Sequence, residues 1–232
     1  MNNKDFFLEP IIFSNESMDF IRKYDGVHND IWKGNGKEIT KIRDELRKHY
    51  MSQQLGCCSY CRLDNPQRHG LTWDVEHIAP QGDFPQFLFE PRNLSLSCKD
   101  CNTAKNSKVV LDTSTVNVSV SYPTDGDAFY IIHPHFDKYE DHIKVEKCGD
   151  KIIYYPSEGK GMKTFQICNL ARFAFYETHN ITDVNLAASF ARLLSELNDT
   201  GEINISEKDV EAIRSHISLH SMKIDLNTDF KK

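Results

Sequence analysis

Apolar residues recur at helical spacing over 38–54, where Ile39, Ile42, Leu46, Tyr50 and Met51 share one side and Lys41, Arg43, Arg47 and Lys48 the other. Steps of three and four residues stack side chains on one face of a helix, so an amphipathic helix is predicted there, with its charges as a solvated face. Upstream, residues 1–36 mix aromatics, acids and glycines without a clear period, and Gly34-Asn35-Gly36 reads as a loop. Beyond 106 the pattern changes twice. Residues 129–132 are a short apolar strand candidate. Residues 142–147 alternate with Ile143 and Val145 on one face, and 151–155 is the predicted partner across Gly149-Asp150. Past 160 the period is helical again. Leu170, Phe173 and Ala174 mark one helix. Leu186, Phe190, Leu193, Leu194 and Leu197 mark a second behind a Thr182 or Asp183 cap. Val210, Ile213 and Ile217 mark a third behind a capping-box-like Ser206 and Asp209. These stripes read as core or subunit interface.

Composition bounds the class. Hydrophobic residues are 39% and charged residues 27% of the 232 positions, an ordinary globular balance for one elaborated domain or two small ones. No apolar run approaches the roughly 18 residues of a membrane span. The first residues lack the basic, apolar and small-residue order of a signal peptide. A cytoplasmic protein with no membrane association is therefore expected. The net charge of −6 sits poorly with holding a polyanion. A nucleic-acid reading thus requires either a local basic cluster or a partner that recruits the substrate.

Seven cysteines are present, and an odd count without a signal peptide argues against a disulfide framework. Cys58/Cys61 and Cys98/Cys101 form two C-x-x-C pairs with 36 residues between them. A two-residue spacer lets both sulfurs of a pair reach one ion, and two pairs complete a closed tetrahedral site for structural Zn²⁺. Cys58 is the preferred ligand, with Cys57 as its alternative through a three-residue spacer. Cys148 and Cys168 read as small buried hydrophobes.

Around the cysteines lie Asp74-Val75-Glu76-His77-Ile78, Asn93-Leu94 and Cys101-Asn102-Thr103-Ala104-Lys105. This set resembles the HNH endonuclease family, whose ββα-metal site has an acidic-His pair, a middle Asn and a final His or Asn. Here Asn102 stands in the place of the final His, and Glu76 in a place more often Asp. The resemblance covers about fifty residues and implies an α+β fold. A zinc-braced nuclease core would occupy 56–110, flanked by a helical region at 1–55, a β-rich extension at 111–160 and a helical region at 161–232. It implies a metal-dependent endonuclease with His77 as general base, Asn93 bracing the His77 loop, and Glu76 and Asn102 on a catalytic Mg²⁺ or Mn²⁺. The implied products are a 5′-phosphate and a 3′-hydroxyl.

The chemistry agrees with those residue types. Phosphodiester hydrolysis needs a nucleophilic water, a proton acceptor and positive charge at the leaving oxygen. A histidine with a pKa of ~6.5 can accept that proton at neutral pH. Neighbouring residues on a strand point to opposite faces, which separates His77 from Glu76. Carboxylate, amide oxygen and water suit a hard cation. Asp74, two residues before Glu76, is either a further ligand or the partner of a Lys or Arg. From Arg92 to Lys108 four bases face one acid, so Lys99, Lys105 and Lys108 are candidates for nucleic-acid contact.

His133, His135 and His142 raise a second metal site, but Pro134 favours a turn. The His-Pro-x-x-Asp segment, the knuckle spacing and the helical tail also resemble HNH proteins paired with ATPases in bacterial anti-phage systems. That group includes the nuclease subunit of Septu and certain retron systems. The resemblance implies an effector with an ATPase partner, which would also account for the acidity. Two alternatives remain: a non-catalytic zinc module that binds nucleic acid or protein, and a stand-alone restriction-type nuclease. The motif acts on a phosphodiester and does not separate DNA from RNA.

Overall fold

In the computed structural model, which describes residues 7–65, 67, 72–114, 121–148 and 151–173, helices alternate with two small antiparallel sheets. The architecture is α+β. Helix α1 (Asn15–Ile21) is capped by Ser14, whose hydroxyl, with that of Ser17, donates to the Glu45 carboxylate on α2. Seven residues are two turns, too few for a period to emerge from 1–36. Helix α2 (Lys37–Gln53) buries Ile39, Ile42, Leu46 and Tyr50, the predicted stripe. Gln54 closes it from a buried position. Its amide donates to the Cys57 and Leu96 carbonyls and accepts from Leu96 N–H, all at 2.8 Å. One side chain thus fastens the helix end to a strand.

That strand is β2 (Leu94–Cys98), paired antiparallel with β1 (Trp73–His77) in the register Trp73↔Cys98, Glu76↔Ser95 and His77↔Leu94. Helix α3 (Lys99–Lys105) follows β2 without a loop, so Cys98 is both strand end and helix N-cap. Asp74 and Glu76 bond to α3 residues, while His77 meets Trp32 from the 3-10 turn Asn29–Lys33. The two faces of β1 therefore look onto different elements, as strand alternation requires.

The predicted hairpin is β3 (Ile143–Cys148) with β4 (Lys151–Pro156). It sits against the first cysteine pair, where Tyr139 and Tyr154 hydroxyls donate to the carbonyls of Tyr60 and Cys61, each at 2.7 Å. The strand expected at 129–132 is not formed. A single bridge joins Leu111 and Phe129, and Ile132 N–H turns instead to the Thr164 hydroxyl at 2.8 Å. Ile131 and Ile132 are both buried, so that apolar run fills the core as a loop rather than half-covering a sheet. Helix α4 (Lys160–Ile167) supplies Thr164 and is capped by Cys168, after which Asn169 takes a positive φ of 49°. A helical turn restarts at Arg172 and Phe173. Ala174 and the stripes at 186–197 and 210–217 lie outside the described residues. Among those described, no helix is long and apolar enough to cross a membrane.

Candidate active site

The four cysteines come from two local devices. Cys58 and Cys61 occupy a turn after α2, which Arg62 completes with a positive φ of 58°. Cys98 and Cys101 lie at the end of β2 and in the first turn of α3. Their sulfurs all fall within 4.8 Å of one another, and Cys61 Sγ lies 4.0 Å from Cys98 Sγ. A tetrahedral ion with Zn–S bonds of about 2.3 Å needs S···S edges of about 3.8 Å, so the donor set fits zinc. Cys58, not Cys57, belongs to the cluster. Backbone N–H groups of Cys98 and Tyr60 point at Cys58 Sγ, at 3.3 and 3.5 Å. Burial opposes its ionisation, but hydrogen bonds from Cys101, Cys61 and Cys98 pull the Cys58 thiol well below its ordinary value. Arg172 Nη2 donates to Cys101 Sγ at 3.0 Å, placing a cation beside the sulfurs. Among the described residues, this is the one group of three or more His, Cys, Asp or Glu side chains placed to hold a metal.

A cleft of about 680 Å³ opens beside β1, α3 and the 3-10 turn, and Asp74, Glu76, His77 and Asn102 are among the residues that line it. His77 is 7% exposed and its Nε2 lies 3.1 Å from the Leu88 carbonyl. A carbonyl only accepts, which assigns the ring proton to Nε2 and leaves the lone pair on Nδ1. Among the described residues nothing bonds to Nδ1. Trp32 meets the ring edge-on at 4.6 Å, and burial pushes the His77 pKa down to about 4. The imidazole is therefore neutral at physiological pH, oriented, and open at one nitrogen.

Asn93 has no exposed surface and uses both ends of its amide. Oδ1 accepts from Ala79 N–H at 2.7 Å and from the Tyr122 hydroxyl at 3.1 Å. Nδ2 donates to the Phe87 and Ala79 carbonyls at 3.1 and 3.2 Å. These bonds pin residues 79–87, and the next carbonyl along, that of Leu88, orients His77. The network continues outward. His133 Nδ1 accepts from His135 N–H at 3.3 Å, so its proton is on Nε2, which donates to Tyr122 Oη at 2.9 Å. Both ring nitrogens of His133 are bonded, the His135 ring sits between the Leu8 and Leu94 carbonyls and donates to one of them, and Asp137 holds the Lys160 ammonium at 2.7 Å. The 133–137 segment is a strut beneath Asn93.

The carboxylates and lysines fall out differently from the linear pattern. Glu76 is 2% exposed, paired with Lys105 Nζ at 2.6 Å, and accepts from the Tyr60 hydroxyl at 3.0 Å. Burial raises its carboxyl above the ordinary value, and the Lys105 charge works against that rise. Asn102 is brought not to Glu76 but to Asp74, donating from Nδ2 to Oδ2 at 2.9 Å. Asp74 also holds Lys99 Nζ at 2.7 Å. Lys105 is 1% exposed, and its ammonium also donates to the His77 carbonyl at 3.0 Å. The surface patch expected from Lys99, Lys105 and Lys108 is corrected accordingly. Lys105 is an internal counter-ion at the edge of the cleft rather than a surface base, because α3 turns it inward beneath β1. Lys99 is exposed but ion-paired, and Lys108 is exposed and donates to the Ile167 carbonyl at 3.3 Å. Sequence reasoning passed over Tyr60, Tyr122 and Trp32. Their roles depend on contacts 16 to 45 positions away in the chain, and no local pattern marks them.

No protein-family model matches the chain, and no solved structure matches it. Among curated proteins the chain is similar to the Septu protein PtuB of Bacillus thuringiensis, at 28% identity over 99 residues. The matched stretch covers 42% of this chain and 34% of that relative, so the similarity spans about a third of the relative's length.

Proposed function

We propose that this chain is a metal-dependent nuclease of the HNH type, acting as an effector in bacterial anti-phage defence alongside an ATPase partner. The observation that carries the reading is His77. Its Nε2–H is fixed on the Leu88 carbonyl, its Nδ1 is unengaged among the described residues, and it lines a cleft beside two carboxylates and an amide. A ring used only for packing has no need of that wall. Nδ1 is the atom that takes a proton from the attacking water, and the Leu88 carbonyl holds the imidazole in the required tautomer and stabilises the imidazolium. Asn93 is a positioning residue, acting through the loop it braces. Asp74 and Asn102, 2.9 Å apart, would supply oxygens to a hard divalent cation, with Glu76 joining them on leaving Lys105. Such an ion, when bound, supplies positive charge for the departing 3′ oxygen. The zinc cluster fixes β2 to α3, and hence Asn102 to β1.

The Septu relative supports the defence setting, and the net charge of −6 supports assistance from a partner in holding the substrate. One observation favours a second reading. The buried Glu76–Lys105 pair is a self-sufficient strut, as expected of a non-catalytic zinc module. Incubation of the purified chain, alone and with its natural partner, with plasmid DNA and with RNA separates the two. Cleavage that requires Mg²⁺ or Mn²⁺ and is lost in Asn102→Ala supports the nuclease. Binding without cleavage under every condition leaves the zinc module.

A further inference from the structure

The lining of the same cleft also includes three bases from other elements, Lys33 from the 3-10 turn and Arg43 and Arg47 from α2. The linear pattern assigns the two arginines to a solvated helix face. Their positions divide the labour. Arg43 is committed to backbone: Nη1 donates to the Trp32 carbonyl at 3.1 Å and Nη2 to the Gly34 carbonyl at 2.8 Å. It fastens the 3-10 turn to α2 and so sets Trp32 against His77. Arg47 is different. Among the described residues its one salt bridge is to Asp44 on its own helix, at 3.3 Å, and its Nε is buried with no hydrogen-bond partner there. A buried guanidinium N–H without an acceptor costs about 1–3 kcal/mol, so native proteins seldom leave one idle. Lys33 reaches the same cleft and holds Asp30 only loosely, at 3.7 Å between two well-exposed side chains.

Resting on the nuclease reading, we propose that Arg47 and Lys33 are the substrate grip of this cleft. They would take the non-bridging oxygens of a nucleic-acid phosphodiester and hold the strand against His77. Arg offers a planar fork to two phosphate oxygens, and Lys a mobile point charge. This grip also answers the charge problem. A chain that is acidic overall needs positive charge only where the strand lies, and Lys33, Arg43 and Arg47 bring it to this cleft.

The test is binding, read without cleavage. A fluorescein-labelled 20-nucleotide single-stranded DNA is titrated with the full chain and its natural partner, without Mg²⁺ or Mn²⁺, across a salt series. Arg47→Gln with Lys33→Gln is expected to weaken binding at least about tenfold at low salt. The same pair should flatten the slope of log affinity against log salt by about 1.4, at about 0.7 per lost phosphate contact. Arg47→Lys should recover much of the slope. Lys48→Gln, which removes the same charge from α2 outside the cleft, should bind as wild type. Unchanged affinity and slope in the double variant, an equal loss in Lys48→Gln, or no salt-dependent binding by wild type would each overturn the grip. The two readings fail separately. A protein that cleaves but ignores both substitutions loses the grip alone, and one that binds through them without cleaving loses the nuclease assignment alone.

Discussion

Asn93→Ala is the substitution whose cost can be worked most directly from the structure. The asparagine is fully buried and satisfies four groups: Ala79 N–H, the Ala79 and Phe87 carbonyls, and the Tyr122 hydroxyl. The Phe87 carbonyl keeps Glu90 N–H at 3.2 Å and Tyr122 keeps His133 as a donor, so truncation strands three groups: the Ala79 N–H, the Ala79 carbonyl and the proton of the Tyr122 hydroxyl. Each buried orphan costs about 1–3 kcal/mol. Allowing for some relaxation toward water, the expected loss is about 3–6 kcal/mol, against a total stability of about 5–15 kcal/mol for a domain. Asn93→Asp should cost as much, because a carboxylate would face the two carbonyls where an NH₂ now donates. The measurement is urea unfolding in zinc-replete buffer, followed by fluorescence of Trp32 and Trp73, both buried. Tyr122→Phe is the graded control, removing a hydroxyl that is satisfied on both sides, with an expected loss of about 1 kcal/mol. A loss under about 1 kcal/mol for Asn93→Ala would refute the claim that this side chain is the brace of the 79–88 loop.

Metal analysis of purified protein should give one zinc per chain, lost in Cys61→Ser or Cys98→Ser and retained in Cys57→Ser, with the zinc-free forms failing to fold. Lys105→Met should destabilise the protein by about 3–5 kcal/mol by leaving Glu76 buried without its cation. Adding Glu76→Gln should restore part of that loss, which a thermal-shift double-mutant cycle reads. Stability should fall on acidification. His77 has its pKa depressed from 6.5 to about 4, so the unfolded chain binds the proton first. The His77 contribution is complete above about pH 6.5 and lost as pH falls toward 4, worth about 3 kcal/mol over that window at about 1.4 kcal/mol per unit. Urea midpoints between pH 7 and 4 measure it, and His77→Gln should flatten the curve.

The legible parts of the chain were those whose signal is local. The α2 stripe, the β3–β4 alternation and the paired C-x-x-C spacings each lie within a few residues or follow from ligand chemistry. The opposite facing of Glu76 and His77 came from strand geometry alone. Three misreadings share a cause. Phe129–Ile132 looked like a strand because apolar composition cannot tell a buried loop from a sheet. Lys105 looked like a surface base because the short α3 buries it against β1, which is 28 residues away from it in sequence. Arg47 looked solvated because the element that turns its face into a cleft wall, the 3-10 turn at Asn29–Lys33, has no periodic signature. The strut from His133 to Asn93 was equally hidden, since it runs through Tyr122 across three separate segments.

Single-turnover cleavage by His77→Ala tests the central claim most directly. The measurement uses the protein with its partner and Mg²⁺ or Mn²⁺, after zinc content and urea midpoint have shown the variant folded. A positioned general base contributes about 10²–10⁴-fold to rate. The account predicts a loss of that size in His77→Ala, with oligonucleotide affinity unchanged because the proposed grip is made by Arg47 and Lys33. A folded, zinc-loaded His77→Ala protein that cleaves within a few-fold of wild type would contradict it.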